Sequence, residues 1–309
     1  MAALLDVTLP VFLVIGFGAL AVWRNLLSDE AVSGVMTFTQ NFAIPCLLFR
    51  AISSLDLGQH FDWLLLISYY SGSVFCFILG IIGALVLFRR PIQDAIAIGF
   101  ASMFANTVLL GLPVTERAFG SGALGPNFAI IALHVPVCYL IGITAMEIAM
   151  NRGNGVIVGV AAVARSMSRN ALMIGIALGA AVNVSGFPMP EVLGNALDLM
   201  ARAALPAALF ALGGVLVRYR PEGDLVQIGF VCLITLIIHP AIVLGMSAFT
   251  GISVGATQSA VVTASMAPGV NAYIFANMYR RAKRVAASAV LIGTAVSIFT
   301  VSAWLALIG

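Results

Sequence analysis

Apolar residues run through this chain in stretches of about twenty, parted by short polar joints. At ~1.5 Å per residue each stretch is long enough to cross the ~30 Å hydrocarbon core of a bilayer as a helix. The pattern predicts spans over about 4–23, 34–53, 63–88, 94–115, 127–148, 170–187, 193–217, 225–249, 256–279 and 286–308, ten in all. The segment 155–167, between the fifth and sixth, reads as a short interfacial helix. Met1-Ala-Ala-Leu-Leu-Asp6 lacks the basic lead of a signal peptide, so the first run is expected to stay as a span. The expected fold class is all-α and integral to the membrane.

Two of these runs are interrupted. Phe104-Ala-Asn-Thr-Val-Leu-Leu-Gly-Leu-Pro113 sets an amide, a glycine and a proline inside the fourth, and Met266-Ala-Pro268-Gly-Val-Asn271-Ala-Tyr273 does the same in the ninth. Proline donates no hydrogen bond and crowds the carbonyl one turn back. In hydrocarbon the freed backbone groups must find protein, water or ligand. A packing kink accounts for either break alone; paired breaks in the two halves point to a transporter site near the midplane. Gly111, Pro113, Pro268 and Gly269 are the candidate crossover and hinge positions.

Composition narrows the class. With 61% hydrophobic and 9% charged residues and a mean hydropathy of +1.10, the chain lies outside the soluble globular range, and the bilayer is its expected surrounding. Cys46, Cys76, Cys138 and Cys232 all fall in apolar runs with no CxxC spacing and no His pair, so neither a disulfide framework nor a metal site is expected. The net charge of +3 carries no sign of a nucleic-acid partner; the placement of the charges is what informs. Of the 15 Lys and Arg, all but Arg50, Arg117 and Arg202 fall on the odd-numbered connections. By the positive-inside rule those connections are cytoplasmic and both termini lie outside, as in a multi-pass protein of the inner membrane. Trp23, Trp63 and Trp304 sit near predicted span ends, where an aromatic belt belongs.

The two halves look related. Leu13-Val-Ile-Gly16 returns as Leu172-Met-Ile-Gly175, and Asn41-Phe-Ala-Ile-Pro45-Cys-Leu-Leu-Phe49 as Arg202-Ala-Ala-Leu-Pro206-Ala-Ala-Leu-Phe210. This divides the chain into a first five-helix repeat, 1–150, a short cytoplasmic connection, 151–169, and a second repeat, 170–309. An odd number of spans per repeat inverts the second copy, the arrangement of carriers that open alternately to either side. Pro10, Pro45, Pro113, Pro136, Pro206, Pro240 and Pro268 all fall within spans. Small residues are dense in Gly175-Ile-Ala-Leu-Gly-Ala-Ala181 and Ala211-Leu-Gly-Gly214, which suits close helix packing in lipid.

Polar groups at membrane depth are the candidate site residues. Asn106 and Asn271 each lie beside a break, where an amide can donate to an anion and opened helix ends add oriented N–H groups. An asparagine there can equally cap the broken backbone, and the two roles are compatible. Thr107 and Tyr273 are further lining candidates. Arg202 falls opposite Asn41 in the repeat and either meets a carboxylate or pairs with Asp198 one turn earlier. His134 and His239, each near a proline, are candidates for proton coupling, with a bond to a backbone carbonyl as the plainer alternative. No nucleophile with a base, paired aspartates or HExxH motif appears, so neither an enzyme nor a cofactor is expected.

Taken together, Asn41-x-x-x-Pro45, Asn106-Thr-x-x-x-Gly111-x-Pro113, Leu205-Pro-x-x-Leu-Phe-x-Leu-Gly213-Gly and Met266-x-Pro268-x-x-Asn271-x-Tyr-x-x-Ala276 resemble the auxin efflux carrier family, over essentially the whole chain. That family includes plant auxin exporters and bacterial members labelled malonate or malate permeases. The resemblance implies ten helices in an inverted five-plus-five repeat akin to bile-acid symporters and sodium/proton antiporters, with spans four and nine crossing at their broken midpoints. It further implies a transport domain of spans three to five and eight to ten, a scaffold of spans one, two, six and seven, and a homodimer. The expected function is secondary-active transport of a small organic anion, a mono- or dicarboxylate, by an elevator-type movement. A sodium- or proton-coupled symporter of another amphipathic solute is the alternative, with an anion channel as a third class.

Overall fold

The structure is a computed structural model that describes residues 2–55, 62–150, 165, 168–219 and 224–309, with side chains from residue 7 onward. The predicted interfacial helix at 155–167 and most of the 151–169 connection lie outside the described residues, as do Arg152 and Arg220. Among the described residues the chain is helical, and its one non-helical pairing is an isolated bridge between Ala105 and Pro268.

The helices are α1 (Ala2–Trp23), α2 (Asp29–Ser53), α3 (Trp63–Val86), α4 (Ile92–Met103), α5 (Leu112–Phe119), α6 (Leu124–Ala149), α7 (Ala171–Ser185), α8 (Glu191–Val217), α9 (Leu225–Thr250), α10 (Val254–Ala264), α11 (Val270–Met278) and α12 (Lys283–Ile308). Each apolar run of the sequence folds as helix, and the fourth and ninth runs fold as two helices with a gap. By length and hydropathy α2, α3, α8, α9 and α12, and α6 with the turn before it, suffice to cross a membrane; Val7–Trp23, α4 and α7 are shorter apolar helices. Side chains fix several starts: Ser28, Asp62, Asn170, Asp224 and Ser253 each accept a backbone N–H of the first turn, satisfying donors that have no partner within the helix.

The in-span prolines are handled in three ways. Before Pro45, Pro113 and Pro240 the helix widens into a π turn, at Thr39–Ala43, Thr107–Gly111 and Ile234–Ile238, and each proline then opens the next helical stretch. There its missing N–H belongs to the first turn, and the wide turn takes up the misfit that a proline imposes one turn back. Pro10, Pro136 and Pro206 sit inside otherwise continuous helices. Pro268 lies in a true gap.

The residues form two compact units. One comprises 1–9, 62–163 and 219–309, and so gathers α3–α6 with α9–α12; the other comprises 10–61 and 164–218, gathering most of α1 with α2, α7 and α8. Both sequence halves contribute to both units. The grouping is the one the family resemblance implied for its two sets of spans.

In the second unit, glycines set the helix spacing. A Cβ on Gly18 would run into the Phe210 carbonyl and one on Gly213 into the Ile15 carbonyl, while one on Gly175 or Gly179 would lie only 2.6 or 2.7 Å from the carbonyl oxygen of Pro45 or Phe49. Backbones this close gain dispersion contacts that lipid tails cannot supply better. The same unit corrects one expectation. Asp198 pairs not with Arg202 but with Arg50 on α2, which donates through Nε at 2.7 Å and Nη2 at 3.0 Å. A bidentate, charge-assisted fork outcompetes a one-turn contact of ~0.2–0.5 kcal/mol. Beside it, the Asn183 amide donates to the carbonyls of Ile52, Ser53 and Leu55, closing the end of α2.

Replacing Gly213 with Ala is expected to lower the melting temperature of the detergent-purified protein, since overpacking costs ~1–3 kcal/mol. Gly16→Ala, where a methyl meets nothing within 4 Å, should leave it unchanged; equal behaviour of the two variants would contradict this packing.

Candidate functional site: the crossover of two broken helices

The first unit is built around its two gaps. α4 ends at Met103, after which 104–106 run without helix, with Phe104 at φ −88°, ψ 88° and Asn106 at φ −79°, ψ 70°, where the Thr107 N–H turns back to the Ala105 carbonyl. α10 ends at Ala264, and 265–269 run without helix to Val270. The two stretches pair antiparallel: Asn106 N–H donates to the Ala267 carbonyl and Gly269 N–H to the Phe104 carbonyl, both at 2.9 Å. Ala105 and Pro268 face each other between these bonds. This is the position of an antiparallel pair at which neither residue donates across, so the N–H that proline lacks is not missed. α12 leaves room for the ring: a Cβ on Gly293 would lie 2.9 Å from Pro268 Cδ.

The gap therefore begins earlier than the sequence motif suggested. Pro113 opens α5 rather than breaking the chain, and Gly111 has ordinary helical geometry, φ −60°, ψ −52°, with a methyl there finding normal contacts at 3.6–3.8 Å. Gly269 is extended, φ −73°, ψ 160°, and packs against the Phe104 ring.

Asn106 and Asn271 flank the bridge. Asn106 Oδ1 accepts the Leu109 N–H at 3.2 Å, capping the resumed helix, and its buried Nδ2 has no hydrogen-bond partner among the described residues. Asn271 Oδ1 accepts the Tyr139 hydroxyl at 3.3 Å. The N-terminus of α11 beside it carries no side-chain cap, so its oriented N–H groups add partial positive charge here. Thr107 is buried in the π turn. Tyr273 turns to Tyr219, their rings 5.1 Å apart.

Aromatic rings pack beneath the amides. Phe100 stacks on Phe275 with centroids 4.0 Å apart, and Tyr139 meets Phe100 and Phe104 edge-on at 5.3 and 6.1 Å. Asn127, fully buried on α6, donates through Nδ2 to Thr115 Oγ1 on α5 and Thr263 Oγ1 on α10, at 3.2 and 2.6 Å, tying the half-helices on both sides. His134 and His239 both converge on Tyr69 of α3, with ring centroids 5.8 and 5.4 Å away, and His134 also packs on Phe104 at 4.6 Å. Ser73 Oγ lies 3.1 Å from His239 Nε2, and His134 Nδ1 lies 3.8 Å from Cys138 Sγ. The backbone of Ala105 interacts with the His134 ring, and that of Tyr69 and Ala264 with the His239 ring, so the plainer alternative of a histidine held by backbone stays open beside proton coupling.

Asn41 and Arg202 belong to the second unit, where both are exposed. Among the described residues no cluster of His, Cys, Asp or Glu could hold a metal. Tyr139, Asn127 and Tyr69 were missed in the sequence. The one available signal was a hydroxyl or amide inside an apolar run, which in a buried setting needs a partner.

Buried broken helices with unpartnered donors at their crossing belong to a membrane transport protein, and the comparisons agree with that class. A family model described as "Membrane transport protein" (Mem_trans) matches residues 4–305. The chain belongs to that family, the auxin efflux carrier family of the motifs above. It is 26% identical over 317 residues to a protein of Rhizobium meliloti (strain 1021) whose name proposes it as a malonate transporter, covering 100% of this chain and 97% of that one.

The crossover geometry predicts that Gly111→Ala is tolerated, with thermal stability unchanged or raised by up to ~1 kcal/mol. Gly293→Ala should lower it, because the methyl meets the Pro268 ring; melting curves of the two variants check this.

Proposed function

We propose that this protein is a secondary carrier for a small carboxylate, malonate or a similar mono- or dicarboxylate, with the crossover as its binding site. The observation that carries the reading is the antiparallel bridge at Ala105 and Pro268, which is flanked by a buried amide, Asn106, a half-buried one, Asn271, and the starts of two resumed helices. No charged residue occurs in 104–113 or 265–273, so recognition of an anion falls to neutral donors and helix ends. The name of the Rhizobium meliloti relative supports malonate as the first substrate to try.

In this reading ten spans form an inverted five-plus-five repeat in the inner membrane with both termini outside. The crossover lies wholly within the first unit, so movement of that unit as a body would carry the site across, while the second unit would serve as frame and dimer surface. Proton coupling would run through His134 and His239.

The test is a thermal-shift series on the purified protein with malonate, malate, an indole carboxylate and sodium chloride. A ligand of the folded state at a hundred times its Kd stabilises by about 2.7 kcal/mol. Stabilisation by a carboxylate is expected, much reduced in Asn106→Ala and in Asn271→Ala and kept in Arg202→Ala. Full response of both asparagine variants would sink the crossover assignment. In proteoliposomes, joint replacement of His134 and His239 by Gln is expected to remove the response of malonate uptake to an imposed pH gradient while counterflow exchange persists.

A further inference from the structure

An asparagine amide is ambiguous: its oxygen accepts, its nitrogen donates, and a free side chain offers either. At the crossover the ambiguity is removed twice. The Leu109 N–H can only donate, so it holds Asn106 by Oδ1 and leaves Nδ2 buried with no acceptor among the described residues. The Tyr139 hydroxyl donates to Asn271 Oδ1 and has no other acceptor among the described residues. Asn271 Nδ2 likewise makes no hydrogen bond among them. Both amides thus show only N–H to a ligand.

The two locks differ in kind. The one on Asn106 is local, three residues along the same chain, and comes with the helix cap. That on Asn271 is made by a side chain from α6, 132 positions away. The Tyr139 ring is held edge-on by Phe100 and Phe104, and Phe275 closes a third side with centroids 6.3 Å away. Burial of the ring leaves its hydroxyl little choice of direction.

We propose that Tyr139 is a positioning residue that fixes the polarity of the site: by occupying Asn271 Oδ1 it makes the crossover a donor-only surface, selective for carboxylates over carboxamides and other ligands that bring their own N–H. The inference rests on the carboxylate reading above and adds which residue enforces it. A carboxylate brings only acceptor oxygens to either amide; a carboxamide that places its NH2 against one of them leaves a donor unmatched, and one unmatched buried donor costs ~1–3 kcal/mol.

The experiment measures binding of malonate and of malonamide to the full-length purified protein, with Tyr139→Phe, Asn271→Ala and the double variant. In wild type, malonate binds and malonamide does not. Tyr139→Phe removes the hydroxyl but keeps the ring; it is expected to weaken malonate roughly five- to tenfold and to narrow the malonate-to-malonamide ratio, with the melting temperature nearly kept. In the Asn271→Ala background the same change should cost nothing further, because Tyr139 acts through Asn271. Additive losses, or an unchanged ratio in Tyr139→Phe, would overturn the proposal and make Tyr139 a direct contact or mere packing. A folded Asn271→Ala that binds malonate as wild type does would instead overturn the site itself. Should Tyr139→Phe fail to fold, Asn271→Asp decides: its carboxylate still accepts the Tyr139 hydroxyl but offers no donor. Malonate binding should vanish from it at an unchanged melting temperature, and binding retained there refutes the polarity assignment.

Discussion

Inside a bilayer a backbone N–H or carbonyl without a partner costs several kcal/mol, and the rest of this structure follows from how that constraint is met at two gaps in helices. Each gap supplies what the other lacks. Asn106 and Gly269 donate across the bridge to Ala267 and Phe104, so neither interruption could stand alone at membrane depth. Pro268, the residue least able to join a pairing, occupies the position where no donation across is required. The same rule acts elsewhere in milder form, where π turns before Pro45, Pro113 and Pro240 keep the ladder nearly whole without a gap.

Around the bridge the packing is of a kind that favours fixed positions over adaptable ones. Phe100 and Phe275 stack, Tyr139 stands on them, and Asn127 joins α5, α6 and α10 through two threonine hydroxyls. Rings and short polar side chains have few rotamers to lose, so the donors are held in place by neighbours that are themselves held. In the second unit the equivalent work is done by absence of side chains, where Gly18 and Gly213 bring α1 and α8 to backbone contact. One unit is fixed by interlocking rings and amides, the other by close approach of backbones.

The helices were legible because twenty apolar residues between capping Ser, Asp or Asn have few alternatives to a membrane helix. The breaks were legible too, since proline, glycine and an amide at one point of an apolar run are each costly without a reason. Their position was read late: helix α4 lets go at Met103, whereas Gly111 and Pro113, the visible breakers, fit the resumed helix. Sequence cannot show that a proline will be absorbed by a π turn, because the choice depends on whether a second strand arrives to pair. Long-range partners were equally hidden. Asp198 and Arg202 stand one turn apart on paper, yet Arg50, 148 positions from Asp198, takes the carboxylate with a fork. Tyr139 and Asn127 read as ordinary members of an apolar span, and only the fold reveals what their polar atoms touch.

On the proposed reading, an anion site made without a cation has a physical consequence for a carrier. A buried arginine or lysine would bind a carboxylate firmly, but once empty it would leave an uncompensated charge at membrane depth, where charge is expensive. Amide N–H groups and helix ends keep their partial charge whether occupied or not, and they are neutral overall, so the empty site is not heavily penalised. The Asn106 Nδ2, unmatched among the described residues, is the residual cost, ~1–3 kcal/mol. Polarity has to be imposed on such groups, since an amide left to itself would serve an acceptor or a donor alike. The proposed polarity is imposed by a helix turn on one side of the bridge and a clamped tyrosine on the other, and on that proposal the Asn271 side is the one where a single hydroxyl can retune what the crossover accepts.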